Sequence, residues 1–332
     1  MIFSDIPGHA VLKERLIEMA NGGRVGHTLL FWGDEGMGAL PLALALAQQM
    51  ACTNKEGGLA CGKCSTCNKM QKLIHPDLHF AVPVNSVKPS DRNPVTDFYI
   101  KIWREAVLEN PYMSEFQWYE KLGMDNKSGN ISVHEADSIL KKLRFKAYEG
   151  NAKFMIIWLP ERMNIQAANT LLKILEEPSQ GTYFFLVSEH PEQLIPTIRS
   201  RCQLIRVNPV ATHLSIQGAH QNELAIYAMD LMKWCNEKKL LPVTQWCEEV
   251  AGFGRERQRQ MILRLLDAIR KIYLEQIGTM TDARRDAINR VSTLSWNFPD
   301  IVQALNGALA DMDRNVNPKM IFYGVGLRLF FA

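Results

Sequence analysis

The hydrophobic pattern of the first two thirds of the chain alternates between short apolar runs and amphipathic segments. Uninterrupted apolar runs bounded by turn residues are typical of strands that are buried on both faces. The predicted strands cover residues 29–31, 78–82, 154–159, 183–187 and 203–207. Amphipathic stretches predict helices over 8–22, over 41–50 and from Asn164 to Pro178. Strands that alternate with helices predict an α/β fold, a parallel sheet covered by helices on both faces.

The pattern after Pro209 is helical throughout. Met261, Leu265, Ile269 and Ile272 have helical spacing and form an apolar stripe on a helix predicted over 255–277. Further helices are predicted over 220–240, 243–251, 283–293, 298–312 and 316–331. The sequence therefore predicts an α/β domain at 1–209, a linker or shortened segment at 210–220 and an all-α domain at 221–332.

Residues 84–130 interrupt the α/β pattern and are predicted to be an insertion. Pro, Asn, Asp and Ser residues flank an aromatic and charged stretch at 98–122 that is partly helical in character. The sequence assigns no role to this insertion. Directly after it, Ser132 and Glu135 have the spacing of a capping box, in which each side chain bonds the other residue's backbone N–H at a helix start.

The overall composition excludes several classes of protein. The chain has 332 residues, 47% apolar and 22% charged, with a net charge of +3 and a mean hydropathy of −0.14. That charge is too small to indicate nucleic-acid binding by itself. The sequence contains no apolar run of the roughly 18 residues that a membrane span needs. Residues 1–5 lack the pattern of a signal peptide, so we expect a cytoplasmic protein with reduced thiols.

Four of the seven cysteines are close together in the sequence: Cys52, Cys61, Cys64 and Cys67. Two Cys-x2-Cys steps in a segment at 52–67 are typical of a tetrahedral zinc site. A shell of four thiolates leaves no position for water, so this zinc would be structural. Unmetallated thiols and an iron–sulfur cluster are the alternatives. The remaining cysteines are isolated and are predicted to be small buried residues: Cys202, Cys235 and Cys247.

A phosphate-binding motif follows the first predicted strand, but two of its residues are replaced. The pattern G-x-x-x-x-G-K-[ST] binds triphosphates through its glycines, its lysine and its hydroxyl group. The glycines are present at Gly33, Gly36 and Gly38, whereas Ala39 stands in place of the lysine and Leu40 in place of the hydroxyl residue. Pro41 also lacks a backbone N–H at the start of the helix. This degenerate Walker A motif predicts that the chain binds no ATP.

The strand at 154–159 lacks a second feature that ATP hydrolysis requires. An active ATPase of this kind has acidic residues at the end of that strand, which hold Mg²⁺ and position water. Here the strand ends with Trp158, and the first acid, Glu161, comes only after Pro160. Two losses at separate places predict an inactive site, so we expect no intrinsic ATPase activity.

Two long motifs resemble the clamp-loader subunits of bacterial DNA polymerase III, which belong to the AAA+ proteins. One motif runs from Asn164 to Pro178 and includes Leu171-Leu172-Lys173, and the other is Pro196-Thr197-Ile198-Arg199-Ser200-Arg201-Cys202-Gln203. The start of the chain agrees through Asp5-Ile6-Pro7-Gly8-His9, His27-Thr28-Leu29-Leu30-Phe31, the four cysteines and His75-Pro76-Asp77. The resemblance covers about 1–83 and 131–209 and implies an AAA+ P-loop-type sheet followed by an all-α, collar-like domain.

Within that family, gamma/tau subunits keep an intact phosphate loop and delta-prime subunits typically do not. The resemblance therefore implies a delta-prime-type accessory subunit of DNA polymerase III. Arg201 matches the arginine finger, which acts in trans on ATP held by a neighbouring subunit. A solvated or locally capping Arg201 is the alternative, and Arg199 is the residue most easily confused with it. Ser188 matches a nucleotide-sensing position, at which we expect only a strand-end hydrogen bond.

The implied partners are gamma/tau-type ATPase subunits and a delta subunit, with the sliding clamp and primed DNA reached through the complex. No membrane partner is expected. Family members carry a small helical lid after the Ser-Arg-Cys strand, where this sequence has only 210–220. A deleted lid and residues missing from the chain are the two explanations. Two other functions stay open: an active gamma/tau-type ATPase and a zinc-stabilised DNA-binding module.

Overall fold

A computed structural model of the chain describes residues 1–86, 92–124, 128–209, 222–276 and 296–331. The chain separates into two compact units, Met1–Gln217 and Gly218–Ala332. The division falls in the segment 210–221, so the predicted linker or shortened lid at 210–220 lies outside the described residues. The predicted helix at 283–293 also lies outside them.

The first unit is built on a sheet of five strands in the order β2-β3-β4-β1-β5. All pairs between neighbouring strands are parallel. The predicted α/β fold class is therefore confirmed. The strands are β1 Thr28–Trp32, β2 Leu78–Ala81, β3 Lys153–Trp158, β4 Thr182–Ser188 and β5 Gln203–Arg206.

Helices cover both faces of this sheet. Alternate residues of each strand enter separate apolar cores, since successive side chains point to opposite faces. Leu29 and Phe31 share one core with residues of α1 to α5, whereas Leu30 shares the other with residues of α6 to α8. The helices of this unit are α1 Ala10–Asn21, α2 Ala39–Ala51, α3 Ser65–Gln71, α4 Thr96–Glu109, α5 Glu115–Leu122, α6 Val133–Leu143, α7 Ile165–Glu176 and α8 Pro196–Arg199.

The two ends of the insertion at 84–130 pair with each other. Val84 and Asn130 pair as an antiparallel bridge, and their N–H groups donate to each other's carbonyl oxygens at 3.1 and 3.0 Å. The two helices between them, α4 and α5, contribute Trp103 and Trp118 to the same core as α2. The insertion therefore packs on the face of the sheet that carries the loop after β1.

The capping box predicted at α6 is only half formed. The Ser132 hydroxyl accepts from the Glu135 N–H at 3.4 Å, as the motif requires. The Glu135 carboxylate, however, accepts from the Thr96 N–H at 2.5 Å, at the start of α4. The acid therefore joins α6 to the insertion, a partner that local spacing does not reveal.

The described part of the second unit is helical, with a core of its own. The predicted stripe of Met261, Leu265, Ile269 and Ile272 is buried in that core. Cys235 and Cys247 are buried as predicted, whereas Cys202 in the first unit is only partly buried. No helix among the described residues is long and apolar enough to cross a membrane. The helices are α9 Asn222–Asn236, α10 Leu240–Ala251, α11 Arg255–Gln276, α12 Phe298–Asp313 and α13 Pro318–Phe331.

Candidate functional site

The loop between β1 and α2 needs its glycines for reasons of backbone geometry. Gly36 and Gly38 have φ angles of 72° and 91°, in the left-handed region that glycine adopts at little cost. A Cβ atom on Gly33 would lie 2.4 Å from the carbonyl oxygen of Val207. The presence of these glycines is therefore explained without a bound phosphate.

Apolar side chains occupy the two motif positions that would contact a triphosphate. Ala39 is the first residue of α2, and Leu40 is buried in the core. Pro41 lies in the first turn of the helix, where a missing N–H breaks no helical hydrogen bond. His9 Nε2 lies 2.9 Å from the carbonyl oxygen of Met37, which ties the loop to the residues before α1.

The carboxyl ends of β3 and β4 lie beside this loop. Trp158, at the end of β3, is buried. Glu161 Oε1 accepts from the backbone N–H groups of Glu189 at 2.9 Å and His190 at 3.1 Å. One oxygen of this acid is therefore used to fix the segment after β4.

Ser188, at the end of β4, takes part in a strand-end hydrogen bond through its backbone. Its carbonyl oxygen accepts from the Gly33 N–H at 3.3 Å. Its Oγ atom is buried and has no hydrogen-bond partner among the described residues. The strand-end hydrogen bond at Ser188 therefore involves the backbone and not the hydroxyl group. Ser188 also lines a small cavity.

That cavity has a volume of about 20 Å³, close to the space for one water molecule. The loop and the ends of β3 and β4 form much of its wall, and three residues of the insertion complete it: Pro111, Tyr112 and Met113. Sequence reasoning missed these three residues, because no motif marks them. The aromatic character of 98–122 was the only available signal.

Glu189, which lines this cavity, has acidic neighbours. Burial, together with the carboxylates of Glu35, Glu161 and Glu115, raises the pKa of Glu189 well above its usual value, against the opposing effect of Arg162. These neighbouring carboxylates repel phosphate groups and disfavour the ionised form of Glu189. Sequence reasoning also missed Glu189.

The four predicted metal ligands come together at the end of α2 and the start of α3. The Sγ atoms of Cys52, Cys61, Cys64 and Cys67 all lie within 4.8 Å of one another. The Cys52–Cys61 and Cys61–Cys67 sulfur distances are 3.8 and 4.0 Å. Zinc–sulfur bonds of about 2.3 Å in a tetrahedron place sulfur atoms about 3.8 Å apart. This group is therefore able to hold a metal ion.

Backbone N–H groups point at the sulfur atoms of this cluster. The N–H groups of Cys61, Cys64 and Cys67 donate to Cys52, Cys61 and Cys64 at 3.3–3.4 Å. Burial alone would raise the pKa of the Cys64 thiol, but the Cys67 N–H and neighbouring side chains lower it to about 6. Donors that favour a thiolate are what a metal ligand of this kind requires.

Arg201 lies between α8 and β5 and is held by α7. Its guanidinium pairs with the Glu176 carboxylate, through an Nε–Oε1 hydrogen bond of 2.6 Å and a second contact from Nη2. Nη1 also donates to the Thr197 carbonyl oxygen at 2.6 Å. The Arg201 side chain is 29% exposed and that of Glu176 is 47% exposed. Arg199, the last residue of α8, is exposed.

Arg201 and the loop lie at opposite ends of the sheet. Gln203, two residues after Arg201, is in register with Leu29, and the loop begins at Gly33. At about 3.3 Å per residue, Gly33 is roughly 13 Å further along the parallel strands than Leu29. Arg201 therefore does not reach the loop of its own chain.

These features define a parallel α/β domain with a P-loop-like segment and a four-cysteine module. Residues 8–211 match the family described as DNA polymerase III, delta subunit. Since the match covers more than half of the chain, this chain belongs to that family.

Relatives with similar sequences include delta' subunits from several bacteria. DNA polymerase III subunit delta' of Escherichia coli K12 is 29% identical over 198 residues, 59% of this chain and 46% of that protein. The delta' subunit of Bacillus subtilis 168 is 31% identical over 189 residues, 56% of this chain and 44% of that protein. The chain thus spans about half the length of the curated relatives it matches.

Among solved structures, a gamma subunit-related protein of Thermotoga maritima aligns over 96% of this chain and 98% of that chain. Its sequence identity is 16% and its TM-score is 0.44. This likeness is too weak to add to the family assignment.

Proposed function

We propose that the chain is a delta-prime-type subunit of the DNA polymerase III clamp loader that binds and hydrolyses no ATP. In this proposal, Arg201 acts in trans on ATP held by a neighbouring gamma/tau-type subunit, in a complex with a delta subunit that loads the sliding clamp on primed DNA. The observation that carries the proposal is the position of Arg201. It lies at the end of the sheet opposite to the loop of its own chain, partly exposed and beside β5.

The chemistry of the loop supports the absence of nucleotide. A P-loop holds a triphosphate through a lysine and coordinates Mg²⁺ through a hydroxyl group and a strand-end acid. The corresponding positions here are Ala39, Leu40 and Trp158, and both Leu40 and Trp158 are buried. The acidic surroundings of Glu189 add repulsion where phosphates would enter. Phosphate binding is therefore opposed by sterics and by charge.

The ion pair of Arg201 is compatible with a function in trans. A guanidinium supplied by a neighbour stabilises the charge that develops on the transferring phosphoryl oxygens. A partly exposed pair such as Arg201–Glu176 contributes about 0–1 kcal/mol to stability. A triphosphate with several negative charges competes readily for this guanidinium, so Glu176 holds Arg201 in place without making it unavailable.

The proposed metal in the cysteine cluster is a structural zinc ion. The residues that would hold it are Cys52, Cys61, Cys64 and Cys67, whose sulfur spacing fits a tetrahedral shell. Four thiolates fill such a shell, so the ion would stabilise the fold and would not activate water.

The proposal is tested in a clamp loader reconstituted from this chain, a gamma/tau-type ATPase and a delta subunit. We expect Arg201→Ala to reduce DNA-stimulated ATP turnover at least about tenfold, since arginine fingers contribute factors of about 10³ or more to single sites. Arg201→Lys should restore little activity, because a lysine lacks the planar fork of the guanidinium. The matched control is Arg199→Ala, which removes a neighbouring exposed guanidinium.

Equal turnover with wild-type and Arg201→Ala subunits would overturn the assignment of the finger. Mg²⁺-dependent ATP turnover by the isolated chain would instead support the alternative, an active gamma/tau-type ATPase. Assembly of the complex with each variant, measured by size-exclusion chromatography, separates a loss of catalysis from a loss of docking.

A further inference from the structure

The turn that joins α4 to α5 lies against the loop where a nucleotide would bind. We propose that this turn, residues 110–114 (the plug), is a built-in occupant of the degenerate phosphate site. The role of the plug lies beyond the proposed function, because it involves neither Arg201 nor a partner subunit. It assigns a role to the insertion at 84–130.

The plug fills the space in front of the loop. Pro111, Tyr112 and Met113 line the same cavity as most of the loop, including Gly33 and Gly38, and the strand-end residue Trp158. Met113 is 5% exposed and belongs to the same apolar core as Met37 and Leu40. The space that is left measures about 20 Å³, whereas pockets for small-molecule ligands measure about 300–1,000 Å³.

The plug has a defined shape that its own hydrogen bonds maintain. Asn110 Oδ1 accepts from the Tyr112 N–H at 3.1 Å, and its carbonyl oxygen accepts from the Met113 N–H at 3.2 Å. Asn110 Nδ2 donates to Gln117 Oε1 at 3.2 Å. Ser114 and Gln117 form a reciprocal capping box at the start of α5. Hydrogen bonds within residues 110–117 therefore fix the conformation of the turn, without a contribution from the loop.

An aromatic cluster holds the helices of the plug against β3. The Trp103 ring of α4 lies 5.1 Å from that of Trp158 and 5.2 Å from that of Trp118 in α5. Trp118 Nε1 also donates to the Pro83 carbonyl oxygen at 2.8 Å. Trp158 occupies the strand-end position at which an ATPase needs an acid. The residue that replaces the acid is therefore also the residue on which the insertion packs.

Ionic and backbone contacts secure the insertion at two further places. Arg162, just after β3, pairs with Glu115 at the start of α5 at 2.6 Å. Thr96, at the start of α4, donates its N–H to buried Glu135 at 2.5 Å. The insertion is thus anchored at the start of each of its two described helices, as expected for a permanent occupant.

The test is amide hydrogen exchange of the full chain, followed by mass spectrometry. In the double variant Tyr112→Ala/Met113→Ala, we expect peptides that cover residues 33–40 to exchange at least about tenfold faster than in the wild type. Peptides from β3 should stay protected, which shows that the sheet is intact. The matched control is Leu108→Ala, an exposed apolar residue of α4, which should leave the loop unchanged. If the double variant fails to fold, Met113→Ala alone is measured.

A second variant tests whether filled volume is what protects the loop. Tyr112→Phe/Met113→Leu nearly conserves volume, so slow exchange of residues 33–40 should be retained. Unchanged loop exchange in the folded alanine variant would overturn the inference, as would fast exchange in the volume-conserving variant. Added Mg·ATP should not alter exchange of the wild-type loop; protection by it would show that the plug yields to a nucleotide and would also overturn the inference.

Discussion

At the scale of single residues, two different physical constraints determine the residues in and beside the loop after β1. Gly36 and Gly38 have backbone angles that favour glycine, and Gly33 has no room for a Cβ atom. Leu40 and Trp158, in contrast, are apolar because they are part of a packed core. The first group is determined by backbone sterics alone, whereas the second depends on partners from the insertion.

Glu189 gives this site a distinct dependence on pH. Its pKa in the folded chain is well above the ordinary value of 4.5, because of burial and neighbouring carboxylates. Between these two pKa values the folded chain keeps a proton that the unfolded chain loses, so stability decreases as pH rises. Glu189→Gln removes this loss. We expect the variant to be more stable than the wild type at pH 7–8 and the difference to vanish below about pH 4.5.

The measurement is urea unfolding of both proteins at several pH values between about 4 and 8. Glu177→Gln, a change at an exposed acid at the end of α7, is the matched control and should give a difference that is nearly independent of pH. A stability difference for Glu189→Gln that is constant with pH would contradict the raised pKa.

At the scale of elements, local pattern predicted most strands and helices of the described chain. The apolar run predicted at 154–159 corresponds to β3, Lys153–Trp158, and the stripe from Met261 to Ile272 lies buried on α11. Contacts between distant elements were not predictable, because spacing carries no information about them. The Glu135 bond to Thr96 and the contact between Trp103 and Trp158 are both of this kind. The role of the plug was missed for the same reason.

The four-cysteine module offers a prediction at this scale. We expect the purified chain to carry one zinc ion and Cys64→Ser to carry almost none at micromolar zinc, because three thiolates bind the ion much more weakly. Removal of zinc should also unfold α3, a helix of only seven residues that starts directly after Cys64. Metal analysis by mass spectrometry measures the content, and circular dichroism measures the loss of helix.

Cys202→Ser is the matched control for this experiment, since Cys202 lies outside the cluster and should leave the zinc content unchanged. Equal zinc content in wild type and Cys64→Ser would contradict the assignment of the ligands. Iron in place of zinc, with absorption in the visible range, would identify an iron–sulfur cluster.

At the scale of the whole molecule, the chain combines a domain of the DNA polymerase III, delta subunit family with a separate helical unit. Its 38 basic and 35 acidic residues nearly cancel. Electrostatic attraction to DNA grows with the number of phosphates that a protein neutralises. A subunit that meets DNA through a complex needs no strong attraction of its own, whereas a zinc-stabilised DNA-binding module does.

The charge balance therefore leads to a prediction about the isolated chain. We expect weak binding to duplex DNA and a slope of log K against log[salt] no steeper than about −3, which corresponds to about three neutralised phosphates. Fluorescence anisotropy of a labelled duplex between about 50 and 200 mM salt gives this slope. The assembled clamp loader, measured on primed DNA under the same conditions, is the reference for tight binding.

A slope of about −6 or steeper for the chain alone would mean that it neutralises about six or more phosphates by itself. That result would favour the DNA-binding module over the proposed clamp-loader subunit, because affinity for DNA would then not depend on partners.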